Sequence, residues 1–146
     1  MGKIMVKKIN NSDFSEEQIK HMELVKSDIQ QLEAYSFQIK GWHSTFIAAS
    51  MLSATQNKLF ALLAIIPIIT FWLMDTYYIQ AARKYRGIYN DLTRGRFSTI
   101  EIKPFTFPVH NYIGERFSYI NVLTSVSILP FYLPPLIIML LIYFLV

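Results

Sequence analysis

Residues 59–79 read LFALLAIIPIITFWLMDTYYI, and after Gln80 come Ala81, Ala82, Arg83, Lys84, Tyr85 and Arg86. As a helix this nearly unbroken apolar run rises about 31 Å, which matches the ~30 Å hydrocarbon core of a bilayer. Its far end carries the aromatic pair Tyr77 and Tyr78 and then a basic cluster, the pattern of a helix leaving a membrane on its cytoplasmic side. A second apolar stretch, residues 119–146, closes the sequence. The reading is an all-α integral membrane protein: an amphipathic amino-terminal cytoplasmic helix, three transmembrane helices, and a homo-oligomeric bundle.

Composition agrees with this. Of 146 residues, 53% are hydrophobic and only 16% charged, against about 25% charged in ordinary soluble domains. The apolar residues come in blocks, so a soluble fold would have to bury two helices on every side within a small chain. Cysteine is absent, which excludes disulfide and thiolate chemistry. The first apolar block starts after residue 40 behind an amphipathic segment, unlike a secretory signal peptide.

Four regions follow along the chain. Residues 1–40 form a cytoplasmic arm, with a short basic segment at 1–12 and an oligomerisation helix at 15–39. Ser15 with Gln18 three residues later reads as a capping box, and Glu16 and Glu17 complement the dipole of the first turn. Met22, Val25, Ile29, Leu32 and Ile39, with Ser36 in the remaining seam position, make an a/d heptad. The arm carries no net charge, and with the narrow seam this favours bundling with copies of itself through Met22, Val25, Ile29 and Leu32; the plainer alternative is an amphipathic helix lying on the membrane or on its own chain. Residues 41–80 form a transmembrane hairpin. Its first limb, 42–57 (WHSTFIAASMLSATQN), is short and polar, and His43, Ser50, Ser53 and Asn57 gather on one helical stripe, a candidate pore lining. Close packing of small residues is the plainer reading of the same stripe.

Residues 81–118 form a basic cytoplasmic linker in which Arg94, Gly95 and Arg96 suggest a turn and 99–103 (TIEIK) at most a short strand. Residues 119–146 form the carboxyl-terminal span, long enough to tilt, kink at Pro130, Pro134 and Pro135, or begin as an interfacial helix. With three spans, thirteen of the fourteen Lys and Arg fall on one side and Lys58 alone on the other. The positive-inside rule then makes arm and linker cytoplasmic and places the carboxyl terminus outside.

Catalytic chemistry has little support. His21, His43 and His110 form no metal-ligand pair, and no phosphate loop or nucleophile elbow is present, so neither catalytic residues, metal nor cofactor is expected. Asp75, the one carboxylate in the apolar run, is a functional candidate by default. A hairpin pivoting near residues 57 and 58 sets Lys40 at the same depth, predicting a structural Lys40–Asp75 ion pair. Lys40, Trp42, His43, Arg83, Lys84 and Arg86 set cations beside aromatic rings, a combination that suits a nucleic acid or another polyanion and equally suits anionic lipid headgroups.

The runs Lys40-Gly41-Trp42, Phe71-Trp72-Leu73-Met74-Asp75-Thr76-Tyr77-Tyr78-Ile79, Arg83-Lys84-Tyr85-Arg86 and Tyr89-Asn90 resemble a family of small bacterial membrane effectors of phage defence, the Hailong type. The similarity covers roughly residues 15–92, with a weaker echo in Leu129-Pro130-Phe131-Tyr132. It implies a homotetrameric ion channel held closed by single-stranded oligodeoxyadenylate, a DNA oligonucleotide made by a partner nucleotidyltransferase. Loss of the ligand during infection would open the channel and depolarise the cell, an abortive infection. The competing expectations are a non-conducting membrane anchor or assembly subunit that recruits a soluble partner, and a holin-like lesion former.

Overall fold

The computed structural model describes residues 14–54, 56–94, 102–103 and 105–145. Every regular element among them is helical. Ser15 opens the first helix: its backbone N–H donates to Gln18 Oε1 at 3.0 Å, and its hydroxyl accepts the Gln18 N–H at 3.2 Å. This reciprocal capping box starts α1, Glu16–Ala54, with Glu16 and Glu17 in its first turn. The helix runs about 58 Å at 1.5 Å per residue and passes straight through Gly41, around which space is open. After a turn at 56–58, Asn57 Oδ1 accepts the Leu59 N–H at 2.9 Å and α2, Leu59–Arg94, returns antiparallel along α1.

The two helices meet along a seam. On α1 the buried residues are His21, Val25, Ile29, Ser36, His43, Ile47, Ser50 and Ala54, spaced in threes, fours and sevens, which is the interval that keeps one stripe against one partner. At the turn end, Ile47 and Ala54 pack with Ala61, Ala64, Ile68 and Met139, where small side chains let the backbones approach closely. At the other end Val25 and Ile29 pack with Ile88 and Tyr112. The heptad of the arm is therefore filled in large part by the chain's own α2 and following loop. A heptad pattern specifies that a seam is buried, not which helix buries it.

Beyond Arg94 the described chain doubles back. Two 3-10 turns, Val109–Asn111 and Glu115–Phe117, lead to α3, Tyr119–Leu123, and then α4, Leu129–Leu145, which packs chiefly on α2. The loop is keyed to α2 at Gly87, where an added Cβ would lie 2.5 Å from the Tyr112 ring. The Tyr112 hydroxyl also donates to Asp91 Oδ2 at 2.7 Å. Gly114 takes φ +126°, a backbone conformation open to glycine and strained for other residues.

One helix among the described residues, α2, is long and apolar enough to cross a membrane, with mean hydropathy 2.0 over its best window; three were expected. Residues 42–54 are the continuation of α1 rather than a separate span, and their Ser and Thr content keeps hydropathy low. Residues 119–145 are divided. Thr124, Ser125, Val126 and Ser127 are weak helix formers, and the chain turns there before α4 begins. Pro130 sits in the first turn of α4, where a missing N–H costs little. Pro134 and Pro135 fall inside it and leave the carbonyls four residues earlier without the regular partner. The basic segment at 1–12, the turn at Gly95 and Arg96 and most of the 99–103 stretch lie outside the described residues. Ile102 and Lys103 are described and form no strand.

The exposed side chains divide the molecule lengthwise. Trp42, Leu52, Leu59, Leu63, Ile66, Leu73 and Tyr77, with Leu141, Phe144 and Leu145 of α4, leave large apolar surface bare around the turn-end half. Only 28% of the most apolar window of α2 is buried, so its outer face is not the core of this chain.

Candidate functional site

A polar centre lies where that apolar half begins. Asp75 reaches it from α2 and is fully buried. The Lys40 ammonium, one turn past Ser36 on α1, stands 2.5 Å from Asp75 Oδ2 and donates to Ser36 Oγ at 2.7 Å. The Ser36 hydroxyl donates in turn to Asp75 Oδ1 at 2.5 Å. Tyr132 of α4 closes the ring, its hydroxyl donating to Asp75 Oδ2 at 3.1 Å. Three helices thus converge on one carboxylate, and each of its oxygens has a donor, which is the condition for holding a charge in an apolar setting.

His43 lies beside this ring. Its imidazole is 4.6 Å from the Tyr132 ring and 5.4 Å from that of Phe131. It is buried, with neither ring nitrogen finding a hydrogen-bond partner. Trp72 stacks parallel to Tyr132 at 6.2 Å and donates its indole N–H to Leu123 O at 3.2 Å. That bond fixes the 124–128 turn, and with it the entry of α4, against α2.

The proposed pore stripe stays together only in part. His43 is enclosed in the protomer. Ser50, nearly buried one turn before Ala54, and Ser53 line one shallow cleft with Phe46, Ala49, Phe60 and Leu63, and Asn57 caps α2 in the turn. The hydroxyls of Ser44, Thr45 and Ser53 each donate to the carbonyl four residues earlier, Lys40, Gly41 and Ala49. A helix whose hydroxyls are satisfied internally can present that face to hydrocarbon.

The candidate ligand contacts are also divided. Lys40 is engaged by Asp75 and His43 is enclosed, whereas Trp42 is 72% exposed. Arg86 pairs with Glu33 across the α1–α2 seam. Lys84, two residues and about 200° around a helix from Arg86, instead lines a cleft under the 112–121 loop. Burial, then the like charges of Arg116 and Arg86, depress the pKa of Arg83.

Of the proposed oligomerisation residues, Val25 and Ile29 are buried within the chain, and Met22 and Leu32 remain partly open. Sequence reasoning did not single out Tyr132, because α4 is apolar all round and gives no sign of which face turns inward. It also passed over Ser36 as a filler in the heptad, although a serine in a hydrophobic seam is itself a signal of a polar partner opposite.

The elements and contacts define an all-α protein built on a long helical hairpin with one helix able to span a membrane. No family model, curated protein or solved structure matches the chain.

Proposed function

We propose that this chain is a multi-pass bacterial membrane protein and the protomer of a homo-oligomeric ion channel, an effector of phage defence that depolarises the cell when it opens. The observation that carries the reading is the Ser36–Lys40–Asp75–Tyr132 centre, set at the edge of a girdle of bare apolar side chains. Ionisable groups held at membrane depth mark pathways and moving parts, because their burial is costly unless function retains them. In this arrangement α2 spans the bilayer, and residues 42–54 of α1 accompany it with their hydroxyls satisfied internally. The 17-residue α4, about 26 Å long, forms a third, short span. The arm and residues 81–118 lie in the cytoplasm and the carboxyl terminus outside.

An anionic regulator holds the channel shut at the cytoplasmic collar. The resemblance makes it single-stranded oligodeoxyadenylate from a partner nucleotidyltransferase, and makes the assembly a tetramer. Trp42 and Arg86 are the contacts left for that regulator, since Lys40 is paired with Asp75, His43 is enclosed and Lys84 lines the separate cleft under the 112–121 loop. The second reading, a non-conducting anchor, draws support from His43, which is enclosed in the protomer and leaves a pore to be lined by other residues.

Single-channel recording of the purified protein in planar bilayers separates the two. The channel reading expects unitary steps that added oligodeoxyadenylate suppresses, and a smaller unitary conductance in Ser53→Trp. Flat traces from correctly assembled protein would leave the anchor.

A further inference from the structure

We infer that the cleft between α2 and the 112–121 loop binds the phosphate headgroup of an anionic phospholipid, with Lys84 as its principal cation. This rests on the membrane placement proposed above and not on conduction.

The cleft holds about 500 Å³ and is lined by Gln80, Lys84, Gly114, Glu115, Ser118 and Asn121 among others, a size that admits a glycerophosphate group. Its walls are fixed. The Gln80 amide donates to Phe117 O at 2.7 Å and the Asn121 amide to Glu115 O at 2.8 Å, so two side chains of the lining hold the loop's carbonyls in place. Lys84 has no carboxylate within ion-pair distance among the described residues. Next to it in the chain, Arg83 has its charge disfavoured by burial and then by the positive charges of Arg116 and Arg86. The lining itself carries one cation, Lys84, and one carboxylate, Glu115, and Arg83 and Arg116 adjoin these two in the chain, so an anion beside Lys84 meets a net positive neighbourhood.

The loop itself is apolar on its outside: Ile113 is 84% and Ile120 68% exposed. Bare aliphatic side chains on a loop beside a cationic cleft match a molecule that is anionic at one end and hydrocarbon at the other. The position suits it, because α2 passes from its apolar run to its basic turns at Gln80, where headgroups lie. Arg86 faces Glu33 on another side of the helix and takes no part, which leaves Arg86 and Trp42 to the proposed regulator.

The test is thermal unfolding of the purified protein in a neutral detergent with four additions: short-chain phosphatidylglycerol, the matching phosphatidylcholine, inorganic phosphate, and oligodeoxyadenylate. Phosphatidylglycerol should raise Tm by several degrees through mass action and phosphatidylcholine should not. The shift should disappear in Lys84→Glu/Arg116→Glu and in the milder Lys84→Gln, whose lost charge leaves the helix intact. Equal shifts with both lipids, or a phosphatidylglycerol shift that survives Lys84→Gln, would overturn the site. An equal shift with inorganic phosphate would make it a free-anion site, and displacement of phosphatidylglycerol by oligodeoxyadenylate would make it the nucleic-acid site. Both of those results also overturn the lipid assignment. Conduction is measured separately, so a non-conducting protein that still responds to phosphatidylglycerol would leave this inference standing.

Discussion

The two ends of the α1–α2 hairpin are built with opposite polarity. At the arm end the inside is apolar, with Val25, Ile29, Ile88 and Tyr112, while charged Arg86 and Glu33 pair on the outside. Toward the turn the outside is apolar and the charges, Lys40 and Asp75, have moved inside. One continuous seam serves both. The same pair of helices therefore changes sides between water and, in the reading proposed here, hydrocarbon, and the outer medium decides where an ion pair is allowed to sit. The Arg86–Glu33 pair keeps about half of each side chain exposed, at 54% and 42%, whereas Lys40–Asp75 keeps 21% and 0%.

That contrast is sharpest in the inner pair. Lys40→Ala leaves the Asp75 carboxylate buried without its counter-ion, and unfolding in detergent should register a loss of about 3–5 kcal/mol. The Lys40→Ala/Asp75→Ala double variant should lose less than Lys40→Ala alone, because no orphaned charge remains. Strictly additive losses would show that the two groups do not act as a pair.

Next in size is the arm end's own packing. Gly87→Ala gains up to about 1 kcal/mol of helix propensity but drives a methyl into the Tyr112 ring, which is held by its bond to Asp91. Overpacking of this kind costs about 1–3 kcal/mol, so a net loss is expected, relieved in Gly87→Ala/Tyr112→Ala. Gain of stability in Gly87→Ala alone would mean that the loop is not seated on α2.

A smaller, pH-dependent effect belongs to His21. The ring is buried among Phe105 and Phe107, and burial lowers its pKa below the ordinary 6.5. In the unfolded chain it takes up a proton near pH 6.5 while the folded chain resists. Stability should therefore be independent of this group above that pH and fall on acidification, levelling off once the folded form protonates too. His21→Leu should remove this component from the pH profile of Tm. The smallest effect is at the outer pair, where Glu33→Gln should change stability by at most about 1 kcal/mol, and less in high salt. A larger loss would make the two ion pairs alike and dissolve the contrast.

Part of this architecture was legible in the sequence. Ser15 and Gln18 announce their helix because a capping box is a local device. The 59–79 run needs only composition and length, and Lys40 with Asp75 follows once a hairpin pivot near 57 is assumed. What stayed hidden depends on partners distant in the chain. The heptad of 22–39 could not say whether it meets its own α2 or another copy, and the span count depended on a polar limb and a broken carboxyl-terminal stretch. His43 and Ser50 looked like a pore stripe because helical periodicity gives a common face without saying what that face touches. Tyr132 entered the sequence reading only through a weak family echo at 129–132, and its contact with Asp75 was not legible there, since it exists only after Trp72 and Leu123 have fixed the turn that aims α4.

The turn at 56–58 has a consequence for how such a chain enters a membrane. Asn57 caps α2 within the turn and Gln56 and Asn57 donate back to Ser53 O, so the tip of the hairpin satisfies much of its own backbone. For a chain inserted as proposed, the hairpin crosses as one unit with Lys58 the only full charge at its tip. Carrying a lysine to the bilayer centre costs about 2.5–3.5 kcal/mol on insertion scales, which the Leu, Ile and Phe residues of 59–79, at about −0.3 to −0.6 kcal/mol each, suffice to offset. Biogenesis of this half of the molecule then needs no translocated domain and no driving force beyond partitioning, and the basic residues left behind set which way it goes in.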